Sequence, residues 1–283
     1  MSIGQTPKTF DQFVARAGQL PACPIVFTRL TEALANPDSP SIDLGEIVST
    51  DQVLTAQILR VANSAHYGMT RRIRSVDEAI MRLGYSEIWS IASALKAQEL
   101  FQQKGWTPLS AYLWEHSMKC ALLVRRLGQQ LNPRFADVFF TTGVLHDMGK
   151  VMMAQADRDY VNVCLNGQLW GRQMIAREKE VYGITHPELG AELLRRWNVP
   201  DTLVKLTATH DEIPADDDPL RSVRLAMLLS NQISHLLMRK DDGQVGFRRP
   251  PTDSLLQGAR MGLKDCLAIG QECLQQFDAL KNT

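Results

Sequence analysis

The chain has 283 residues, 45% of them hydrophobic, with 31 basic and 31 acidic side chains and a formal net charge of zero. That size and apolar content suffice for one large core or two smaller ones, which excludes wholesale disorder. The charges balance in both halves, 10 of each sign in residues 1–105 and 21 of each beyond, which excludes the positive excess of a strong phosphate-backbone binder.

The first residues, Met1 to Lys8, have no basic flank leading into an apolar stretch, so they do not read as a secretion signal. Farther on, no apolar run approaches the roughly 20 residues that span a bilayer. The chain reads as all-α, because period-two patterns are nearly absent and helix start signals recur. Short helices are predicted over 10–18, 24–36, 43–49, 51–64 and 76–83. The 76–83 helix opens with Ser75-Val76-Asp77-Glu78, which fits a capping box, and stops at Gly84. Between helices, Asn63, Ser64, His66 and Tyr67 form a polar island before Gly68. It is either an ordinary helix terminus or a packing or recognition loop between the subdomains. Arg71, Arg72 and Arg74 form the compact basic cluster of the first half, a solvated loop or a contact for a small anion or nucleic acid.

A longer helix is predicted near 87–103, and the run Gln103 to Pro108 is the best boundary. Helices near 108–131, 136–153, 157–167, 172–182, 187–197, 201–210 and 219–240 follow. Thr185-His186-Pro187-Glu188 is a second capping box, and Pro108 suits a first helical turn. The stretch 241–253, with Gly243, Gly246, Pro250 and Pro251, reads as a loop, and one or two helices close the chain. This divides the chain into 1–105, 106–240 and a 241–283 extension. The five cysteines, Cys23, Cys120, Cys164, Cys266 and Cys273, are scattered, odd in number and without Cys-x-x-Cys. They point to reduced thiols in a cytoplasmic protein.

The chemistry concentrates at Val144-Leu145-His146-Asp147-Met148-Gly149-Lys150. A His-Asp doublet within an apolar helical stretch is unusual, because charged groups are rarely buried unless paired or bound to metal. Lys150 lies i+4 from His146 and i+3 from Asp147 and shares their side of the helix. A cation beside a possible metal pair suggests a phosphate contact. The plainer alternative is a core histidine with a local Asp147–Lys150 ion pair.

Several blocks in order resemble the HDOD family, a degenerate branch of the HD-domain superfamily. They are Leu20-Pro21-Ala22-Cys23-Pro24; Asp51 with Leu59 through Gly68; Ile73 through Gly84; Leu113-Trp114-Glu115-His116-Ser117; the His-Asp block; and Thr185 through Pro200. The resemblance covers about residues 18 to 238. It implies a multi-helix bundle of two subdomains, the first peculiar to the family and the second like the core of metal-dependent phosphohydrolases. It also implies a bacterial signal-transduction role.

By the same resemblance, His116, His146, Asp147, His186 and His210 match metal-ligand positions, and Asp147 would bridge two metals in a dinuclear version. Asn231 stands where the last helix should bring an aspartate. Thr209 replaces the first of a histidine pair, and the Gly-Tyr-Pro signature of the related HD-GYP branch is missing after Asp211-Glu212. The constellation is partly eroded. His235, i+4 from Asn231, could compensate. Cys120, i+4 from His116, fits a small buried residue better than a ligand.

Two functions follow. The first is a non-catalytic regulatory module that binds a signalling protein partner or a nucleotide-like ligand, with no membrane association and nucleic acid disfavoured. The second is a phosphohydrolase of a nucleotide or cyclic dinucleotide, dependent on iron, manganese or a similar divalent metal.

Overall fold

A computed structural model of the chain describes residues 6–17, 25–35, 44–68, 71–102, 108–131, 136–162, 171–239, 245–247 and 251–281. The described part is all-α apart from one short ribbon. Five helices precede the central one: α1 (Phe10–Ala17), α2 (Ile25–Ala35), α3 (Leu44–Ser49), α4 (Gln52–Ala62) and α5 (Val76–Leu83), followed by α6 (Tyr85–Gln102). Then come α7 (Pro108–Leu131), α8 (Ala136–Leu145), α9 (Met148–Ala156), α10 (Arg172–Tyr182), α11 (His186–Arg196), α12 (Asp201–Ala208) and α13 (Arg221–Leu236). Strands β1 (Leu237–Arg239) and β2 (Val245–Phe247) precede α14 (Asp253–Gly258) and α15 (Leu263–Lys281).

Local chemistry sets most of these boundaries. Asp51 caps α4 by accepting the Leu54 amide at 2.9 Å, and its other oxygen meets Lys96 of α6 at 2.5 Å. Ser75 caps α5, but the box expected there is displaced by one residue. The Glu78 carboxylate takes the amide of Arg74 rather than that of Ser75. Thr185 and Glu188 form the full reciprocal box at the start of α11. Gly84 alone separates α5 from α6. Its φ of +88° is a conformation that a side chain would oppose.

Three predicted elements differ. The helix predicted over 219–240 ends at Leu236, and Leu237–Arg239 pairs antiparallel with Val245–Phe247, Leu237 opposite Phe247. Strands of three residues are too short to display a period-two signal, so the loop expectation for 241–253 missed β2. The helix predicted over 136–153 is broken at the His-Asp doublet into α8 and α9. Of the helix predicted over 157–167, residues 157–162 are described, a turn at 158–159 leading into one helical turn at 160–162, and residues 163–167 lie outside the described residues, as does the Leu20–Pro24 block.

Two apolar cores result. One gathers α2 to α5 around Leu30, Ile47, Leu54, Ile58 and Trp89. The other gathers α1 and the later helices around Phe13, Phe139, Phe140, Leu123 and Leu229. Helix α6 serves both: Ile88, Trp89, Ile91 and Ala92 enter the first, and Ala97, Leu100 and Phe101 enter the second. That dual duty explains why α6 is apolar on nearly every face.

A polar bridge also joins the cores. The Tyr67 hydroxyl donates to Glu87 of α6, which also accepts from Arg125 of α7 and Gln276 of α15, both at 2.8 Å. The polar island around Asn63 is thus a packing element. The Asn63 side chain bonds both the amide and the carbonyl of Ile73, which ties the end of α4 to the residues that lead into α5. Among the described residues Cys120, Cys266 and Cys273 are unbridged and buried, and no helix is long and apolar enough to cross a membrane.

Candidate metal centre

Two close backbone approaches build the site. Helix α8 lies so near α7 that a Cβ on Gly143 would meet the Ala121 Cα at 2.4 Å. Helix α9 lies so near α11 that a Cβ on Gly149 would meet the His186 carbonyl oxygen at 1.9 Å. The first approach brings His146 beside His116, and the second brings Asp147 beside His186. Asp147 stands at the N-cap position of α9, yet its side chain makes no cap bond. Its carboxylate is turned inward instead.

The histidines converge in pairs. His116 Nε2 and His146 Nε2 are 3.2 Å apart, and each is 3.5 Å from Asp147 Oδ2. His186 Nε2 and His210 Nε2 are 3.3 Å apart, and they lie 3.5 and 3.7 Å from Asp147 Oδ1. The five residues expected from the sequence therefore meet at one carboxylate, with each oxygen facing one imidazole pair. His116 is 4% exposed, and the other four are fully buried.

The outer ring nitrogens explain why the inner ones point together. His146 Nδ1 and His210 Nδ1 each lie 2.7 Å from a carbonyl oxygen, of Gly143 and Thr207 respectively, and donate to it. His186 Nδ1 donates to Glu178 at 2.8 Å, and the Tyr160 hydroxyl donates to the same carboxylate at 2.6 Å. Ser234 gives its hydroxyl proton to the Asn231 carbonyl, so it accepts from His116 Nδ1 at 3.1 Å. With every Nδ1 proton committed, each Nε2 of a neutral ring carries only a lone pair. Burial favours the neutral rings: it lowers the His116 and His210 values and holds His146 near 3.

Facing lone pairs about 3 Å apart repel unless a cation lies between them. Asp147 Oδ1 and Asn231 Oδ1 are buried without a hydrogen-bond partner. Both observations fit a divalent metal, whose imidazole and carboxylate ligands stand about 2.0–2.2 Å from the ion. The triads His116–His146–Asp147 and Asp147–His186–His210 could each hold one. Outer partners such as Glu178, Gly143 and Thr207 are of the kind that orient metal ligands.

Charged neighbours complete the site. Lys150 is buried and donates to Asp147 Oδ2 at 2.8 Å. Burial opposes ionisation of Asp147, but the surrounding imidazoles and Lys150 outweigh it and hold the carboxyl well below its usual range. His235 stacks on His116 with ring centroids 4.0 Å apart and faces the Tyr112 hydroxyl. It packs against a candidate ligand. The Thr209 hydroxyl bonds the Lys205 carbonyl.

Two residues were missed in the sequence. Asp211, which the sequence marked only as a residue before the missing Gly-Tyr-Pro signature, places Oδ2 3.6 Å from His186 Nε2 and 3.7 Å from His210 Nε2. Its Oδ1 accepts from Asn231 at 3.0 Å. Its adjacency to His210 was the available signal. Glu178 sits eight residues from His186 across a turn, a separation with no helical period to mark it. A cavity of about 800 Å³ reaches the centre's edge, lined by Asp211, Asn231, His235 and Arg172 among others. Arg72 and Arg74 lie apart from all this, in an open groove with Arg60 and Asn63.

Comparison with known proteins matches residues 20–213 to the HDOD domain. An uncharacterised protein of Treponema pallidum (strain Nichols) is 23% identical over 97% of this chain, which spans 53% of that relative's length. An HDOD-domain protein of unknown function from Geobacter sulfurreducens superposes with a TM-score of 0.71 at 21% identity, covering 96% of this chain and 98% of its own. A protein provisionally named a phosphohydrolase, from Shewanella amazonensis SB2B, gives a TM-score of 0.68 at 22% identity, with 95% and 98% covered. These likenesses carry the fold, and the match over residues 20–213 carries the assignment: the chain belongs to the HDOD-domain family.

Proposed function

We propose that the chain is a bacterial signal-transduction module of the cytoplasm that holds a divalent metal in its second helical subdomain and acts by binding a partner protein. The observation that carries this reading is the set of four imidazoles tied at Nδ1 and aimed at Asp147 through Nε2, buried within a helical core. The metal, iron, manganese or a similar ion, would sit among His116, His146, Asp147, His186 and His210, around the shared Asp147 carboxylate. When bound, such an ion supplies Lewis acidity toward an anionic oxygen. The residues of this chain do the rest: Glu178, Gly143, Thr207 and Ser234 orient the rings, and Lys150 balances the charge of Asp147. Burial of this depth suits a centre that rigidifies the later helices and the surface they present. Division at about residue 105 into a family-specific first subdomain and an HD-like second one belongs to the same proposal.

A second reading, hydrolysis of a nucleotide or cyclic dinucleotide, is favoured by the cavity beside Asp211 and Asn231, with Arg172 on its wall for phosphate. One experiment separates the two. Chelator-stripped and iron- or manganese-loaded protein are compared by thermal melting and by turnover of cyclic and linear nucleotides. The regulatory reading expects the loaded form to melt higher, by the equivalent of about 2.7 kcal/mol at a hundredfold excess of metal over Kd, with no turnover. Turnover that disappears in His146→Ala and Asp147→Ala would establish the hydrolase instead.

A further inference from the structure

Resting on that metal-holding reading, we infer that the centre takes one divalent cation, in the half bounded by Asp147, His186, His210 and Asp211, and that Lys150 occupies the place of a second cation in the half bounded by His116 and His146. The two halves share a carboxylate but differ in charge. In the His186–His210 half, Asp147 Oδ1 has no partner. Asp211 Oδ2 lies 3.6 and 3.7 Å from the same two imidazole nitrogens. Two anionic oxygens and two neutral nitrogens form the mixed set that borderline divalent ions prefer.

The other half has two neutral imidazoles and Asp147 Oδ2, and that oxygen already accepts from the buried Lys150 ammonium at 2.8 Å. A cation placed there would meet a positive charge a few ångströms away in a poorly screened interior. Asn231 adds an amide, which brings no charge. Its Nδ2 instead donates to Asp211 Oδ1 at 3.0 Å, which turns Oδ2 toward His186 and His210. Asn231 is thus a positioning residue for Asp211, and a carboxylate twenty positions earlier in the chain serves the half that retains its metal.

The test uses the full chain, stripped with chelator, loaded with Mn(II) and freed of excess. Elemental analysis should find about one manganese per chain, and electron paramagnetic resonance should show an isolated ion without pair coupling. Asp211→Asn should weaken Mn(II) binding by about 10–100-fold, a larger loss than His116→Gln causes. If Asp211→Asn fails to fold by circular dichroism, Asn231→Ala reads the same link and should also weaken binding. Two coupled manganese ions per chain would overturn the inference while leaving the metal-holding reading intact. So would loss of the ion in His116→Gln with retention in Asp211→Asn or Asn231→Ala. Failure to bind Mn(II), Fe(II) and Zn(II) alike would overturn both.

Discussion

At the scale of single residues, the unusual feature is buried imidazole kept neutral. Burial lowers His146 to about 3 and His235 to about 4, from an ordinary 6.5. Between those values and 6.5 the unfolded chain binds more protons than the folded one, so acid favours unfolding. The stability tied to neutral rings is fully present above about pH 6.5 and is lost as pH falls toward the folded values. Thermal melts of metal-stripped protein at a series of pH values should show a falling Tm below roughly pH 6. A flat profile down to pH 4.5 would contradict neutral burial. The histidines, Asp147 and Lys150 were legible as residue types in a suggestive order. Glu178 and Asp211 were not, because an acidic residue in sequence carries no sign of which way it turns.

At the scale of elements, close helix packing decides whether the site exists. The doublet sits in a break between α8 and α9, not within one helix, and the break lets Asp147 face α11 while His146 faces α7. Gly149 makes that possible, since its missing Cβ is what admits the His186 carbonyl. Gly149→Ala forces α9 off α11. It should cost about 1–3 kcal/mol or more through overpacking and reduce metal binding in parallel. Urea denaturation and metal analysis on the same preparation check this. Gly190→Ala serves as the milder comparison, because its Cβ would stand 3.2 Å from the Gly149 amide nitrogen. Helix boundaries followed from caps and stop signals, which are local. The β1–β2 ribbon did not, since its strands pair across a gap and are too short to carry a pattern.

At the scale of the whole molecule, two apolar cores share α6 and one polar bridge. Glu87 receives Tyr67, Arg125 and Gln276, from three different elements. Arg125 is buried, 7% exposed, and Glu87 is its carboxylate partner. Glu87→Ala strands that guanidinium and should cost about 3–5 kcal/mol, the scale of breaking a buried pair. It should also weaken coupling between the cores, so that one urea transition becomes two when followed by fluorescence of tryptophans in each. A single sharp transition at an unchanged midpoint would show that α6 alone couples them.

From the order of amino acids alone came a mainly helical chain, the bounds of most helices, the family and the residue types able to hold a metal. These rest on period, caps and short motifs, which act over a few residues. Tertiary structure alone decided that residues 116, 146, 147, 186 and 210 share one carboxylate, that Asp211 joins them and that Lys150 turns inward. Those depend on two helix crossings close enough to exclude a Cβ, and the distance between packed backbones is written in no local stretch of sequence.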